Sequence, residues 1–342
     1  MNGIIRIGIG YEECTDREEL AGRVQEAQEI IQALRGGPYE ARLWGIPPGS
    51  VPPSAQFRSI DAILPTPSIS GRGLIRLCAL AEAAGLPRIG IGLRSAVLGS
   101  DRVLVRRLLS QSEVQLALFR TFTRSQWEKD RSFHLIETEL TLGYPCQVRP
   151  AAGWGMAGPE DYVQSREELE QLVDRLMTTH DRVIAEEVIE GRLFVAAVLN
   201  GQSSQVIGVG ELLAAAAPVE RAAGEPEEEP AEPADDPAAQ AAALARRRAG
   251  EPPPWTRLEM PGEADRELAK VVRRAALKAA AALHLAGAAL FYYQVPKGRP
   301  PVLLTDAELA PSLGPRSLYA RLWAHSGGSY RELAACLVEN GL

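Results

Sequence analysis

Few side chains in this sequence have types and spacing that could support chemistry. The four cysteines include no C-x-x-C pair, and none of the four histidines has a nearby nucleophile or the spacing of metal ligands. Asp306 and Glu308 lie two residues apart in a segment that predicts a strand, so both carboxylates should point to one face. Either they bind one magnesium ion there, or they are solvated acids at the end of a strand.

The composition limits the class of partner and the compartment. The chain has 342 residues, enough for two or three packed units. A net charge of -7 leaves no basic surface, so nucleic acid and anionic membranes are not expected partners. We see no signal peptide, and no apolar run reaches the length of about 20 residues that a membrane span needs. We therefore expect a cytoplasmic protein without membrane contact.

Residues 1–99 predict a Rossmann-like α/β unit. Apolar runs typical of strands alternate with segments of helical spacing. The predicted elements are a strand at 4–9, a helix at 17–34, a strand at 60–64, a helix at 74–84 and a strand at 88–91. Strands separated by helices of this length imply a parallel sheet.

Residues 100–184 predict a small central unit. Asp101 is placed to cap a helix, CQVRP reads as a buried strand, and Ser165 opens a helix in which Glu168 completes a capping box.

The remaining residues, 185–342, predict an α+β unit with an antiparallel sheet. The runs RVIAEEVI, RLFVAAVLNG and SQVIGVGEL are separated by turn residues, which suggests antiparallel hairpins. Residues 214–254 consist of Ala, Pro and acidic residues and predict a disordered insertion. A long helix, two strands and two short helices complete the chain.

Four segments follow one another in an order that matches a known family. They read IDAILPTPSISGRGLIRLCALAEAAGLPRIGIGLRSAVLGSDR, GYPCQVRPAAGWGMAGPEDYVQSREEL, AEEVIEGRLFVAAVLNG and GAALFYYQVPKGRPPVLLTDAELAPSLGPRS. In this respect the chain resembles the D-alanine–D-alanine ligases of the ATP-grasp family. The resemblance implies an ATP-grasp fold in three parts: a parallel-sheet domain, a small central domain and a C-terminal antiparallel-sheet domain. It also implies a reaction that uses ATP and magnesium to join a carboxylate to an amine.

The resemblance assigns a nucleotide site, a metal site and a substrate position. The nucleotide positions are Arg106 (or Arg102) and Arg149 for the phosphates, Gly158 in the glycine-rich loop, Glu186 beside the adenine, and Val188 and Ile189 for backbone contacts to the base. Arg149 has an alternative interpretation as a surface charge at a strand end. Asp306 and Glu308 fall on metal positions, and Asp16 falls where the family binds the first substrate's ammonium group.

Several catalytic positions of the family carry residues that cannot do the original task. Leu290 replaces the arginine that stabilises the tetrahedral intermediate, and Tyr292 replaces the first metal carboxylate. Gly155 and Met156 replace the loop serines, and Leu193 replaces the acid that holds the ribose. The family's tyrosine-bearing loop falls in residues 214–254, which contain no tyrosine. We therefore assign no residue as catalytic.

Two interpretations of function follow, with a variant of the first. In the first, the protein is a degenerate ligase relative with a structural, regulatory or partner-binding role and at most weak nucleotide binding. In the second, it is an active ATP- and magnesium-dependent carboxylate–amine ligase with an altered substrate. ATP and magnesium are cofactors only in so far as the second holds. The resemblance implies a homodimer formed through the first domain, and the acidic residues 214–254 suggest a protein partner.

Overall fold

The computed structural model describes most of the chain in several segments. The described residues are 4–48, 54–66, 69, 71–153, 161–201, 204–214, 256–297 and 302–342. The strands are β1 (Ile5–Glu12), β2 (Tyr39–Ile46), β3 (Ala62–Pro65), β4 (Phe119–Thr123), β5 (Cys146–Pro150), β6 (Tyr162–Val163), β7 (Arg182–Glu187), β8 (Gly191–Asn200), β9 (Ser204–Ala214), β10 (Thr256–Glu259), β11 (Gly287–Pro296) and β12 (Leu303–Glu308). The helices are α1 (Arg17–Leu34), α2 (Ser54–Phe57), α3 (Gly71–Ala83), α4 (Leu93–Gly99), α5 (Arg102–Ser110), α6 (Arg124–Lys129), α7 (Arg131–Thr141), α8 (Arg166–Met177), α9 (Arg266–Ala282), α10 (Leu318–His325) and α11 (Tyr330–Gly341).

The first unit contains the predicted parallel sheet, with strand order β2-β1-β3. Helix α1 begins and ends where its apolar spacing predicts, and it buries Ala27, Ile30 and Leu34. Strand β2 was not predicted, because its edge position leaves most of its residues partly or fully exposed. The predicted strand at 88–91 is wrong. Ile89 N donates to Ile63 O at 2.8 Å, but Gly90 then turns the chain with a φ of 79°.

The central unit is a four-stranded sheet of order β4-β7-β5-β6 covered by α7 and α8. Asp101 caps α5 as predicted, and the CQVRP segment is strand β5. Ser165 also caps α8, but Glu168 accepts from Gln164 N rather than from Ser165 N, so the capping box is not reciprocal. The sequence patterns gave no indication of β4, α6 and α7.

The third unit is built on a five-stranded antiparallel sheet of order β10-β9-β8-β11-β12. Helix α9 packs on one face of this sheet, and the first unit with α10 and α11 packs on the other. The prediction that three successive strands form antiparallel hairpins is wrong for the first strand: β8 pairs with β9, but β7 belongs to the central sheet. The chain passes from one sheet to the other at 188–190, so no hairpin forms there. Apart from residue 214, the predicted insertion 214–254 lies outside the described residues.

Two glycines join the first unit to the five-stranded sheet. Ala288 N donates to Gly90 O at 2.8 Å. Gly287 has a φ of 92°, and a Cβ atom on it would lie 2.4 Å from Gly90 O. Only glycine fits this approach, so the start of β11 is held against the first unit. Among the described residues, no helix has the length and apolarity needed to cross a membrane.

Candidate functional site

An open cleft lies between the central unit and β12 of the large sheet. Its accessible volume is small, about 20 Å³. It is lined by Gly99, Arg102, Val105, Arg106, Gly153, Glu186, Tyr292, Leu304, Asp306, Ala307 and Glu308. The cleft therefore brings together three predicted positions from distant parts of the chain: an arginine of α5, the acid of β7 and the acid pair of β12.

One wall of the cleft is a chain of buried ion pairs. Arg106 Nε donates to Glu186 Oε1 at 2.9 Å, and Arg106 Nη1 donates to the carbonyl oxygen of Leu304 at 2.8 Å. The other oxygen of Glu186 accepts from Arg149 Nη2 at 2.6 Å. Arg149 Nη1 in turn donates to Asp306 Oδ2 at 2.7 Å. Two cations and two carboxylates thus alternate from α5 through β7 and β5 to β12.

Local sequence explains why these charged side chains point inward. Arg106 lies on the same face of α5 as Val103 and Leu109, which are both buried, so the guanidinium group is carried into the core. Strand β5 lies inside the central sheet, between β7 and β6, and Val148 and Arg149 are both buried. The side chain of Arg149 is 3% exposed, which excludes the interpretation as a surface charge.

The pKa shifts of the acids follow from their arginine neighbours. Burial opposes ionisation of Glu186, but the charges of Arg106 and Arg149 outweigh burial and hold its pKa below the ordinary value. Burial also opposes ionisation of Asp306, but Arg149, Arg102 and Arg106 lower its pKa. Both carboxylates are therefore ionised at neutral pH, and the two arginines that contact them are matched by two negative charges.

Glu308 and Tyr292 form the other end of the cleft. Tyr292 Oη donates to Glu308 Oε2 at 3.3 Å. Burial and the negative charge of Asp306 raise the pKa of Glu308 to about 7. The cross-strand partner of Glu308 is Leu290, which is buried and offers no hydrogen bond. This carboxyl group is consequently only partly ionised near neutral pH.

Arg102 is the third cation at the cleft. Its Nη1 donates to the carbonyl oxygen of Pro150 at 3.1 Å. Burial and the neighbouring charge of Arg149 lower the pKa of Arg102 to about 10, so the side chain stays protonated at neutral pH.

The acid pair Asp306 and Glu308 lies on one face of β12, as the strand prediction requires, and both residues line the cleft. As a donor set for magnesium they fit poorly. Arg149 engages Asp306, Tyr292 engages Glu308, and three arginine side chains repel a cation. Within the described ranges, no three or more His, Cys, Asp or Glu residues are grouped so that they could hold a metal ion.

The other predicted positions lie in different settings. Val188 and Ile189 are half-buried in the link between β7 and β8. Asp16 is exposed and caps α1, because its Oδ1 accepts from Glu19 N at 2.8 Å. It is not among the residues that line the cleft. Gly155, Met156 and Gly158 fall outside the described residues.

The family resemblance implied separate contacts, with Arg149 on phosphate and Glu186 on adenine. The structure pairs them with each other, which the sequence patterns did not predict. Arg102 was named only as an alternative to Arg106, yet both line the cleft. A signal was present, because CQVRP and RVIAEEVI both predict strands and carry opposite charges, and charges that become buried are paired.

Comparisons with known proteins agree with this architecture. The family model "D-ala D-ala ligase C-terminus" matches residues 108–219. The D-alanine–D-alanine ligase of Bacillus cytotoxicus is 27% identical over 287 residues, which cover 84% of this chain and 72% of that protein. The corresponding ligase of Natranaerobius thermophilus is 24% identical over 327 residues, covering 94% of this chain and 79% of that protein.

Solved structures match almost the whole chain. A D-alanine–D-alanine ligase from Bacillus anthracis complexed with ATP has a TM-score of 0.71 at 17% identity, covering 98% of this chain and 97% of that one. The VanG D-Ala:D-Ser ligase from Enterococcus faecalis has a TM-score of 0.71 at 17% identity and covers 99% of each chain. The predicted ATP-grasp fold is therefore confirmed.

Proposed function

We propose that this chain, a D-alanine–D-alanine ligase-like ATP-grasp protein, is a non-ligase member that serves a structural, regulatory or partner-binding role. The observation that carries the proposal is the buried ion-pair chain. Arg106 and Arg149, the cations assigned to phosphate, are held by Glu186 and Asp306 at 2.6–2.9 Å. The cleft thus neutralises its own phosphate-binding groups.

The energetics of burial support this proposal. A nucleotide phosphate could use Arg149 only by displacing Glu186 or Asp306, and the displaced carboxylate would lose its hydrogen-bonded contact with Arg149 in a dry environment. Breaking one partner out of a buried ion pair typically costs about 3–5 kcal/mol. That cost opposes phosphate binding, because a typical charged hydrogen bond returns only about 1.5–3 kcal/mol.

The residues at the family's catalytic positions support the non-ligase proposal independently. Ligation needs a donor for the developing oxyanion, and one such donor is typically worth about 10²–10³ in rate. Leu290, at the position of the family's arginine, is 2% exposed and has no donor. Tyr292, at the position of a metal carboxylate, has its pKa raised far above 10 by burial and by Glu308, so it stays a neutral phenol.

The alternative is an active ATP-dependent carboxylate–amine ligase with a different substrate. The observation in its favour is the lining of the cleft, which includes Arg102, Arg106 and the acid pair Asp306 and Glu308. In this alternative ATP enters the cleft with its phosphates near Arg102. Asp306 and Glu308 are the residues that would take magnesium, which would supply charge neutralisation to the phosphates.

Two measurements on the full chain separate these functions. Release of ADP is measured with millimolar Mg-ATP and a panel of D- and L-amino acids, and binding of Mg-ATP is measured by calorimetry. We expect no amino-acid-dependent ADP release and weak or absent binding. Substrate-dependent turnover that Asp306→Ala abolishes would establish the ligase instead.

A second variant tests whether the internal ion pairs prevent phosphate binding. Glu186→Gln removes the charge shared by Arg106 and Arg149, so we expect at least about tenfold tighter binding of inorganic pyrophosphate. Glu267→Gln is the matched control, because Glu267 forms an exposed pair with Lys270 at 2.7 Å. Equal pyrophosphate affinity in wild type and Glu186→Gln contradicts the idea that internal pairing closes the site.

The partner-binding version of the proposal assigns a protein partner to the acidic residues 214–254. These residues follow β9 and precede β10, two strands that pair from Ala214 and Thr256 onward. Ala214 and Thr256 are therefore adjacent, and the residues between them can be removed without separating the two strands. A chain that lacks 215–254 and still retains an identified partner in a pull-down would contradict this assignment.

A further inference from the structure

Helix α9 carries a basic stripe that the acidic net charge of the chain obscures. The helix contains one acid, Glu267, and five cations. The five cations are all exposed, and they are Arg266, Lys270, Arg273, Arg274 and Lys278. They recur every three or four residues, so they lie on one side of the helix. The opposite side is buried against the large sheet, and it holds Val272, Ala276, Ala279 and Ala280. The basic stripe therefore faces solvent along most of α9.

Within the described part of the chain, three ion pairs with glutamates occur on the stripe. The nitrogen–oxygen distances are 2.7 Å for Lys270 with Glu267, 2.8 Å for Lys278 with Glu113 and 3.6 Å for Arg266 with Glu263. All six side chains are more than half exposed. Water screens such pairs, so each stabilises its cation only weakly. Three glutamates against five cations leave the stripe with an excess of positive charge.

The N-terminal end of α9 lies beside the C-terminal end of strand β9. Arg192 joins the two elements, because its guanidinium group donates to Asp265 Oδ1 at 2.5 Å and to Glu211 Oε2 at 2.6 Å. Glu211 belongs to β9, three residues before that strand ends. Further along the helix, Arg273 Nη1 donates to the carbonyl oxygen of Val206 in β9 at 2.6 Å. Helix α9 therefore lies along β9, and its first cations are those nearest to the end of that strand.

The sequence between β9 and β10 contains a strongly acidic stretch. Residues 225–236 read EPEEEPAEPADD, with seven acids and no cation. The stretch begins 11 residues after Ala214 and ends 20 residues before Thr256. Eleven residues of extended chain span up to about 36 Å. The basic stripe from Arg266 to Lys278 is about 18 Å long, at 1.5 Å per residue of helix. The acidic stretch can therefore reach the stripe while the chain stays attached to both strands.

We propose that the acidic residues 225–236 bind the basic stripe of α9 within the same chain. Seven negative charges meet five positive ones in this contact. Attachment to β9 and β10 gives the stretch an effective concentration of the order of millimolar at the stripe, so contacts that are individually weak act together. The contact is electrostatic and exposed, and salt should weaken it because the screening length falls from about 30 Å at 0.01 M to about 10 Å at 0.1 M.

This contact does not depend on the function proposed for the cleft, because none of the cations of the stripe is among the residues that line the cleft. It gives residues 225–236 a binding surface inside their own chain. A protein partner of the acidic residues would then have to displace α9 from them.

Carbodiimide cross-linking of the full chain, read by mass spectrometry, tests the proposal. The reagent joins lysines to carboxylates, and the lysines of the chain are Lys129, Lys270, Lys278 and Lys297. In about 0.01 M salt we expect residues 225–236 to be joined to Lys270 or Lys278 within single copies, at least about tenfold more often than to the exposed Lys129 of α6. In about 0.3 M salt the yield should fall at least about fivefold. Cross-links that occur only between copies, equal yields at Lys129, or no cross-link from 225–236 to α9 would overturn the proposal.

A charge reversal on α9 separates the stripe from the overall charge of the chain. Arg266→Glu combined with Arg274→Glu leaves both lysines of the stripe as reporters, and we expect it to lower their cross-linking to 225–236 at least about fivefold. Arg17→Glu combined with Arg316→Glu is the matched control, because it makes the same change of charge at exposed positions beyond the opposite face of the large sheet. Circular dichroism checks that both variants stay folded. Equal yields in the two double variants would contradict binding at the stripe.

Acetylation of lysines provides a second readout that needs no carboxylate chemistry. In about 0.01 M salt, Lys270 and Lys278 should be acetylated at least about threefold faster in a chain that lacks 215–254 than in wild type, because the acidic stretch no longer covers them. Lys129 should react at the same rate in both chains. If the rates at Lys270 and Lys278 are also the same in both chains, residues 225–236 do not occupy the stripe.

Discussion

Substitution of Glu186 by Gln should destabilise the protein far more than substitution of an exposed glutamate. Glu186 bridges Arg106 and Arg149, and all three side chains are 3–4% exposed. Gln keeps the volume and one acceptor oxygen but removes the negative charge. Arg106 then keeps the carbonyl oxygens of Leu304 and Thr305 but has no carboxylate partner, and Arg149 keeps Asp306.

We expect the loss in unfolding free energy to be about 3 kcal/mol, the lower end for an uncompensated buried charge. Urea denaturation followed by circular dichroism measures it. The control Glu267→Gln breaks a pair whose side chains are 60% and 82% exposed, and we expect it to change the unfolding free energy by less than about 1 kcal/mol.

A double-mutant cycle with Arg106→Met isolates the charge effect. Removing both partners leaves no uncompensated charge between them, so the double variant should lose about 1–3 kcal/mol less than the sum of the single variants. If Glu186→Gln costs no more than Glu267→Gln, or if the two single losses simply add, the reasoning about the ion-pair chain is refuted.

Two other outcomes follow from the described contacts. The pKa of Glu186 is below its ordinary value of about 4.3, so the folded state binds fewer protons than the unfolded chain, and the stability from this group is present above about pH 5 and lost on further acidification. The unfolding free energy of Glu186→Gln should therefore fall less steeply than that of wild type between about pH 5 and 3. Parallel curves for the two proteins would contradict this. Gly287→Ala should lower the unfolding free energy by more than about 2 kcal/mol, since the new Cβ atom would lie 2.4 Å from Gly90 O. The control Gly85→Ala, whose Cβ atom meets no atom within 4 Å at a φ of 67°, should lower it by about 1 kcal/mol. Equal losses in thermal or urea unfolding would show that the backbone clash is relieved elsewhere.

The sequence determined those features that depend on local periodicity or on the order of segments. Helix α1 is bounded as its apolar spacing predicts, and Asp101 and Ser165 cap helices because a short polar side chain before a helix satisfies free backbone amides. The three-part architecture followed from four ordered segments and is confirmed by structures that match nearly the whole chain. Edge strand β2 escaped prediction because an edge strand buries few residues.

Only the tertiary structure decided what the charged residues do. Arg106, Arg149, Glu186 and Asp306 come from α5, β5, β7 and β12, and no local pattern states which of them meet. The strand β7 joined the central sheet instead of a hairpin with β8, and this pairing placed Glu186 between two arginines. Long-range pairing depends on how the sheets pack against each other, whereas caps and periodicity depend on neighbours along the chain. The sequence therefore identified these four charged residues, and the packing of the two sheets turned them toward one another.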